Sequence, residues 1–358
     1  MITRTGKCKA MLVDSDGDLI EDYAAYLKAG SHLAVMPIAR VEVGWTPLTY
    51  PGGVTFYPTG LADLRNLNVV PISKKKPSLA DVCSAASGIN TKILSHHPLV
   101  VFPYNFDWEQ LFSSSHNSHR EFIRSLSDYV DQACLNFIRY RQCQIEPIDN
   151  LPGRAGQLTS NHMMAGALLY NHALRESRII GSDVFTHFVT RGLGLQLEPI
   201  DHSLFPKNGE VGCIINHALY LYSALLEASN LTSRFIQALS LLEFLAYPDE
   251  YRKFEDVKKV IARYIAKDQS EYNKLCERFK ELTGKKEENT KREIGYRTRM
   301  VHLGERIEDI VPDAQGRREL FLELDGYIKA VMDHMIAHSE KSFDEYLLVR
   351  EALRPYEK

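Results

Sequence analysis

CIINHALYLYSALLEASNLTSRFIQALSLLEFLAY, residues 213–247, decides the fold of the chain's second half. It reads as one long helix or two in succession, and the chain beyond it keeps the same character. FEDVKKVIARYIAKD (254–268) and SEYNKLCERFKELTG (270–284) continue the helical pattern. A charged connection, KKEENTKRE (285–293), precedes a helix carrying YRTRMVHLGE (296–305). GRRELFLELDGYIKAVMDHMIAHSE (316–340) and SFDEYLLVREAL (342–353) complete the series. Together they predict a bundle of about five or six helices with short to moderate connections.

Upstream the pattern changes. DHSLFPKNGEVG (201–212) carries Pro and Gly and is the expected linker. The first two hundred residues are mixed. HLAVMPIARVEVGW (32–45) and GVTFYP (53–58) are rich in β-branched and aromatic residues, are punctuated by YPGG, and predict strands around a turn. TKILSHHPLVVFPY (91–104) is a further strand region, and LADLRNL (61–67) and SLADVCSAA (78–86) predict small helices. In SHREFIRSLSDYVDQACLNFIRYRQ (118–142) the apolar residues Phe122, Ile123, Leu126, Val130, Ala133, Cys134, Phe137 and Ile138 keep helical spacing over several turns. LPGRAG (151–156) is a loop, QLTSNHMMAGALLYNHALRESR (157–178) a second long helix, and DVFTHFVTRGLGLQLEPI (183–200) a return to strand. The expected architecture is an α+β domain over residues 1–205 and an all-α bundle over 206–358.

Length and composition bound the function. The 358 residues suit two domains, and 44% apolar with 25% charged residues is ordinary for a folded soluble chain. A net charge of -3 provides no global basic field, so any nucleic-acid site is local. Six scattered cysteines, Cys8, Cys83, Cys134, Cys143, Cys213 and Cys276, show no paired spacing, which fits reduced thiols in a cytoplasmic protein. The N-terminus meets acidic residues before any long apolar run, so no signal peptide is expected. VGCIINHALYLYSALL (211–226) is too short for a bilayer and holds Asn216 and His217, so no membrane partner is expected.

Candidate chemistry is sparse. AMLVDSDGDLIE (10–21) has the Asp-x-Asp-Gly of a phosphatase nucleophile loop at Asp14 and Asp16, but its apolar run is short, Asp18 stands where Thr is usual, and no strand–helix alternation comes after it. A plain acidic turn is the better reading. His334 and His338 have the i, i+4 spacing of paired metal ligands, without a third ligand or an intervening Glu, and read as surface histidines. No phosphate-binding glycine loop and no Gly-x-Ser-x-Gly elbow occurs. No metal and no cofactor is expected.

Arg297 and His302 remain. Arg-x4-His arises by chance roughly once in a chain like this, so spacing alone proves nothing. Context carries more. The pair lies after a polar connection on a late helix of the bundle, in IGYRTRMVHLG (294–304), and RFIQALSLLEFLA (234–246) upstream sets Glu243 among apolar residues. In these features residues 210–355 resemble the HEPN superfamily, and within it the Apea-like HEPN group. Tyr296, Arg297, Met300, Val301 and His302 stand in the family's register. The position after the arginine is Thr298, and the glycine that often follows the histidine is displaced by Leu303 to Gly304.

The resemblance implies a metal-independent endoribonuclease leaving a 2′,3′-cyclic phosphate. His302 would be the proton-transfer group, Arg297 the phosphate clamp, and Glu243, Tyr296 and Thr298 the supporting residues. It also implies RNA as partner, a homodimer with two motifs facing one cleft, and a role in prokaryotic defence or a toxin system. The chemistry suits the side chains. RNA carries its own 2′-hydroxyl nucleophile, histidine titrates near neutrality, and arginine presents a charged fork to phosphate. The competing reading is a non-catalytic HEPN module for dimerisation or for nucleotide or RNA binding, favoured by Thr298 and Leu303. The ligand and role of residues 1–205 stay open, with sensing or targeting the expected kinds. Five residues on a regular helix turn through about 140°, so Arg297 and His302 are not side by side on one face. An irregular helix start at Gly295, a long reach by the arginine, or a site shared by two chains would each resolve this. A solvated helix face, with Arg297 paired to Glu305 or Glu293, is the reading without function.

Overall fold

The structure, a computed structural model, describes residues 16–70, 77–145, 150–158, 164–185, 194–287, 289 and 292–353. It divides into two compact units, Met1–Gln142 with Asp149–Ser203, and Cys143–Ile148 with Leu204–Lys358. Residues 143–145, expected in the first domain, therefore group with the second.

The first unit holds a six-stranded sheet built from β1 (His32–Pro37), β2 (Leu48–Tyr50), β3 (Val54–Tyr57), β4 (Leu99–Tyr104), β5 (Met164–Asn171) and β6 (Glu176–Asp183). Its order is β2-β3-β4-β1-β5-β6, and every neighbouring pair is antiparallel. That rules out the parallel strand–helix alternation a phosphatase loop would need. Asp14 lies outside the described residues, and Asp16 is exposed. The helices α1 (Leu79–Ala86) and α2 (His116–Val130) cover β6. A π-helical turn at Asp131–Leu135 joins α2 to α3 (Asn136–Gln142), inside the segment expected to be one helix.

The structure corrects three expectations. QLTSNHMMAGALLYNHALRESR is not a helix: its described part is the β5–β6 hairpin, with residues 159–163 outside the described set. Seven of the eight β5 residues are buried, so the alternation that marks a half-exposed strand is absent, and a short apolar run does not distinguish strand from helix. The turn is made by Asn171, whose side-chain oxygen accepts from the Ala173 and Leu174 amides, with Arg175 left-handed at φ 51°. TKILSHHPLVVFPY starts as a short helix, Thr91–Leu94, capped by Asn90, before β4 begins. In LADLRNL only a 3₁₀ turn forms, at Arg65–Leu67, and of 183–200 the described strand beyond β6 is Leu195–Gln196, paired parallel with Val41–Glu42.

Gly166 and Gly181 face each other across β5 and β6. A Cβ on Gly181 would come within 2.3 Å of Ser87 Oγ at the end of α1, and the Gly181 amide donates to Ser84 Oγ at 3.1 Å. The helix end thus rests on bare backbone. Gly181→Ala is expected to cost about 1–3 kcal/mol by overpacking, read as a lower urea midpoint with an unchanged slope.

The second unit is helical among its described residues. Its longer helices are α4 (Glu210–Glu227), α5 (Leu231–Ala246), α6 (Phe254–Ile265), α7 (Gln269–Thr283), α8 (Tyr296–Leu303), α9 (Ala314–Ile336) and α10 (Phe343–Glu351). These are seven, against the five or six expected. The segment 213–247 is two helices. Ala228 leaves helical geometry, and Asn230 caps α5 by accepting from the Ser233 amide at 2.7 Å. The core is apolar: Val211, Ile215 and Leu219 of α4, Phe235, Leu239 and Leu242 of α5, Ile261 and Phe279, and Leu324, Ile328 and Val331 of α9 are buried. One polar network crosses it. Tyr222 donates to Asp325 at 2.7 Å, and Lys329 bridges Asp325 at 2.9 Å while reaching the Cys143 carbonyl at 3.3 Å. Arg234 likewise donates to the carbonyls of Ala228 and Ile145.

The expected linker is not loose along its length. Phe205 is buried, and the Lys207 amide donates to Ser339 Oγ at 2.9 Å. A Cβ on Gly212 would lie 1.8 Å from the Lys207 carbonyl, so this segment is fastened to the second unit.

Candidate active site

The helix α8 is placed by its first residues. Gly295 is its N-cap, and a Cβ there would stand 2.5 Å from Gly284 Cα, so only glycine lets the helix start against the end of α7. The Thr298 hydroxyl donates to the Thr283 carbonyl at 3.0 Å, closing the open end of α7. Tyr296 packs its ring 6.3 Å from Phe235 and lies under the Arg278 guanidinium at 6.0 Å. Arg278 is itself held by Glu323 and Glu281, hydrogen bonds that push its pKa upward. Both Tyr296 and Thr298 have positioning contacts, and neither needs a reacting atom to explain it.

Arg297 turns to α5. Its Nη1 lies 2.5 Å from Glu243 Oε1 and its Nη2 3.4 Å from Oε2, a two-pronged ion pair over 54 sequence positions. Neither Glu305 nor Glu293 is its partner. Glu305 pairs with Arg299, and the Glu293 carboxylate accepts from the Lys285 and Gly295 amides. Of the five guanidinium N–H groups, Glu243 takes two, and three remain for another acceptor. His302 sits in the last turn, exposed, with no hydrogen bond to any described residue. Gly304 then ends the helix in the left-handed region at φ 71°.

Both residues line one cleft of about 500 Å³, whose walls are α8, the end of α7, and α6 with the loop before it. The helix is regular from Tyr296, so an irregular start at Gly295 is not what reconciles the spacing. Instead the wall is an arc. Arg297 stands at one edge, then Val301 and Thr298, then His302 at the other, about 140° away. Across from them stand Tyr251, Phe254, Glu255, Lys258 and Lys280. Lys258 is only 3% exposed and pairs with Glu255 at 2.6 Å, and Lys280 pairs with Glu277 at 2.5 Å. Hydrogen bonding raises the Lys280 pKa and lowers that of Glu277. All three cations are thus held by carboxylates, and an entering anion would compete with or share these contacts. No sequence motif pointed to this opposite wall. The YRKF that supplies Tyr251 and Phe254 lies on no periodic pattern, and the lysines look like any solvated helix face.

The remaining histidines do other things. His334 and His338 are half-buried rather than free on the surface. Their rings stack at 4.7 Å, and His334 Nδ1 lies 3.1 Å from the Tyr346 hydroxyl, itself 2.8 Å from that of Tyr264. Burial, then the neighbouring His338, lowers the His334 pKa to about 4. The unfolded chain therefore takes up this proton near the ordinary 6.5 and the folded one near 4. Between those values the unfolded state binds more protons, so stability falls on acidification and levels off below pH 4. The upper bound is about 3 kcal/mol at about 1.4 kcal/mol per unit, reduced by residual contact with water. An NMR titration should place the His334 midpoint near 4, and a midpoint near 6.5 would contradict the burial argument.

Among the described residues no group of three or more His, Cys, Asp or Glu side chains is arranged to hold a metal ion. Cys83, Cys134 and Cys213 are free thiols, and no described helix is long and apolar enough to cross a membrane. Compared with protein-family models, curated proteins and solved structures, the chain finds no match.

Proposed function

We propose that the helical unit is a metal-independent endoribonuclease of the HEPN type, acting as an RNA-cleaving effector in the cytoplasm. The observation that carries the reading is the shared cleft, with Arg297 clamped by Glu243 at one edge of α8 and His302 unpartnered at the other. In the reaction the RNA 2′-oxygen attacks the adjacent phosphorus and loses its proton. The P–O5′ bond breaks, the 5′-oxygen gains a proton, and a 2′,3′-cyclic phosphate remains. Arg297 offers its free N–H groups to the phosphorane oxygens, whose charge grows in the transition state. His302 moves one of the two protons. One such histidine per chain favours a homodimer in which a second copy moves the other, and the exposed Val301 and Leu303 beside His302 supply apolar surface for that contact.

A second reading, a module that binds RNA or nucleotide without cutting, draws on the two-pronged Glu243 contact, which occupies the face of the arginine best shaped for phosphate. The experiment is to incubate the full chain with mixed-sequence RNA in EDTA and look for 2′,3′-cyclic phosphate ends. Cleavage that EDTA abolishes would contradict the mechanism. Binding without cleavage would leave the second reading standing.

A further inference from the structure

The loop between α5 and α6 contains an aromatic ring for which the fold has no use. Tyr251 is 87% exposed, and it makes no ring contact or hydrogen bond with a described residue. The loop around it is nevertheless held. Arg252 pairs with Glu250 at 2.7 Å and lies over the Tyr247 ring at 5.8 Å. Arg350 lies over the same ring at 5.8 Å and donates to the Ala246 carbonyl at 2.7 Å. A fastened loop that leaves one large ring in water is presenting that ring rather than failing to pack it. Its location gives the reason. Tyr251 lines the cleft that holds Arg297 and His302, with Phe254 and Glu255 beside it and with Lys258 and Lys280, each paired with a carboxylate, also in the lining.

Aromatic ring, basic side chains and cleft together match a single nucleic-acid strand. Each base has a flat face that stacks on an aromatic side chain, while cations follow the phosphates. The cleft, at about 500 Å³, is within the range of sites that enclose one small ligand. An acidic peptide would use the cations equally well but would have no need of the ring. We propose that Tyr251 stacks on the base next to the phosphate held by Arg297, so that the cleft accepts unpaired RNA and rejects duplex. This rests on the RNA-cleaving reading and adds its substrate form. A base inside a duplex already has both faces stacked on its neighbours, and it reaches Tyr251 only by leaving the helix.

The test uses the full chain and a labelled single-stranded RNA decamer. A 2′-O-methyl version, which lacks the nucleophile, serves for binding, and the plain version for cleavage. Tyr251→Ala should weaken binding and raise KM about five- to a hundred-fold, with kcat nearly unchanged. Tyr251→Phe should restore both, because the ring and not the hydroxyl acts. The matched duplex should bind no better to the wild type than the single strand does to Tyr251→Ala. Circular dichroism checks that the variants fold, which the exposure of the side chain leads one to expect. Equal binding by wild type and Tyr251→Ala, a Phe variant as weak as Ala, or duplex bound as well as single strand would overturn this inference alone. A wild type that neither binds nor cuts single-stranded RNA would overturn it together with the function it rests on.

Discussion

His302→Ala is expected to lower RNA cleavage by about 10²–10⁴-fold, the usual loss when a positioned acid or base is removed. The size follows from what the side chain does not do. His302 has no hydrogen bond to a described residue and faces the cleft from the last turn of α8, so its removal leaves packing and helix caps intact. Circular dichroism and the thermal midpoint should match wild type. Unchanged cleavage would remove His302 from the reaction, and loss of cleavage together with unfolding would assign it a structural role instead.

Arg297→Ala should cost a similar order, since the phosphorane loses its charged donors. Arg297→Lys should recover only part, because an ammonium has no planar fork with which to hold Glu243 and a phosphate oxygen together. Glu243→Gln tests the support. The amide still accepts one hydrogen bond, but it holds a guanidinium less firmly and adds no negative charge to the cleft. The expected result is a lower kcat with a KM for RNA that does not rise. A raised KM with unchanged kcat would mean that the carboxylate organises substrate binding rather than the arginine. Arg297 is 32% exposed in its side chain and Glu243 23%, so neither change leaves a deeply buried charge and both proteins should fold.

The sequence shows the helices of the second half as long helical segments with a charged run before α8, but the break at Asn230 that makes two helices of 213–247 appears only in the structure, and α8 buries Met300 alone. It names Glu243 as a supporting acid only through a resemblance, and its pairing with Arg297 appears only in the structure, since nothing local links residues 54 positions apart. The β5–β6 hairpin is hidden for the opposite reason: its strand is buried on both faces, and the alternation that would reveal it is gone. The far wall of the cleft is hidden too. Lys258 and Lys280 take their meaning from where α6 and α7 meet α8, and spacing along a chain does not contain that. His334 and His338 read as a surface pair because the i, i+4 spacing says nothing of what covers it, here Tyr264 and Tyr346.

Residues 143–145 bear on how the protein is made. Their carbonyl groups serve Arg234 and Lys329, and the second of these lies 186 positions further along. A ribosome adding about 5–20 residues per second needs on the order of ten to forty seconds to cover that distance. Cys143, buried in the finished molecule, waits through that interval for Lys329, and Ile145, also buried, waits through about half of it for Arg234. The helical half therefore does not mature simply in the order it is translated. Its earliest piece waits for partners made later, Arg234 for Ile145 and Lys329 for Cys143, and a nascent chain stalled before α9 would still lack the second of these contacts.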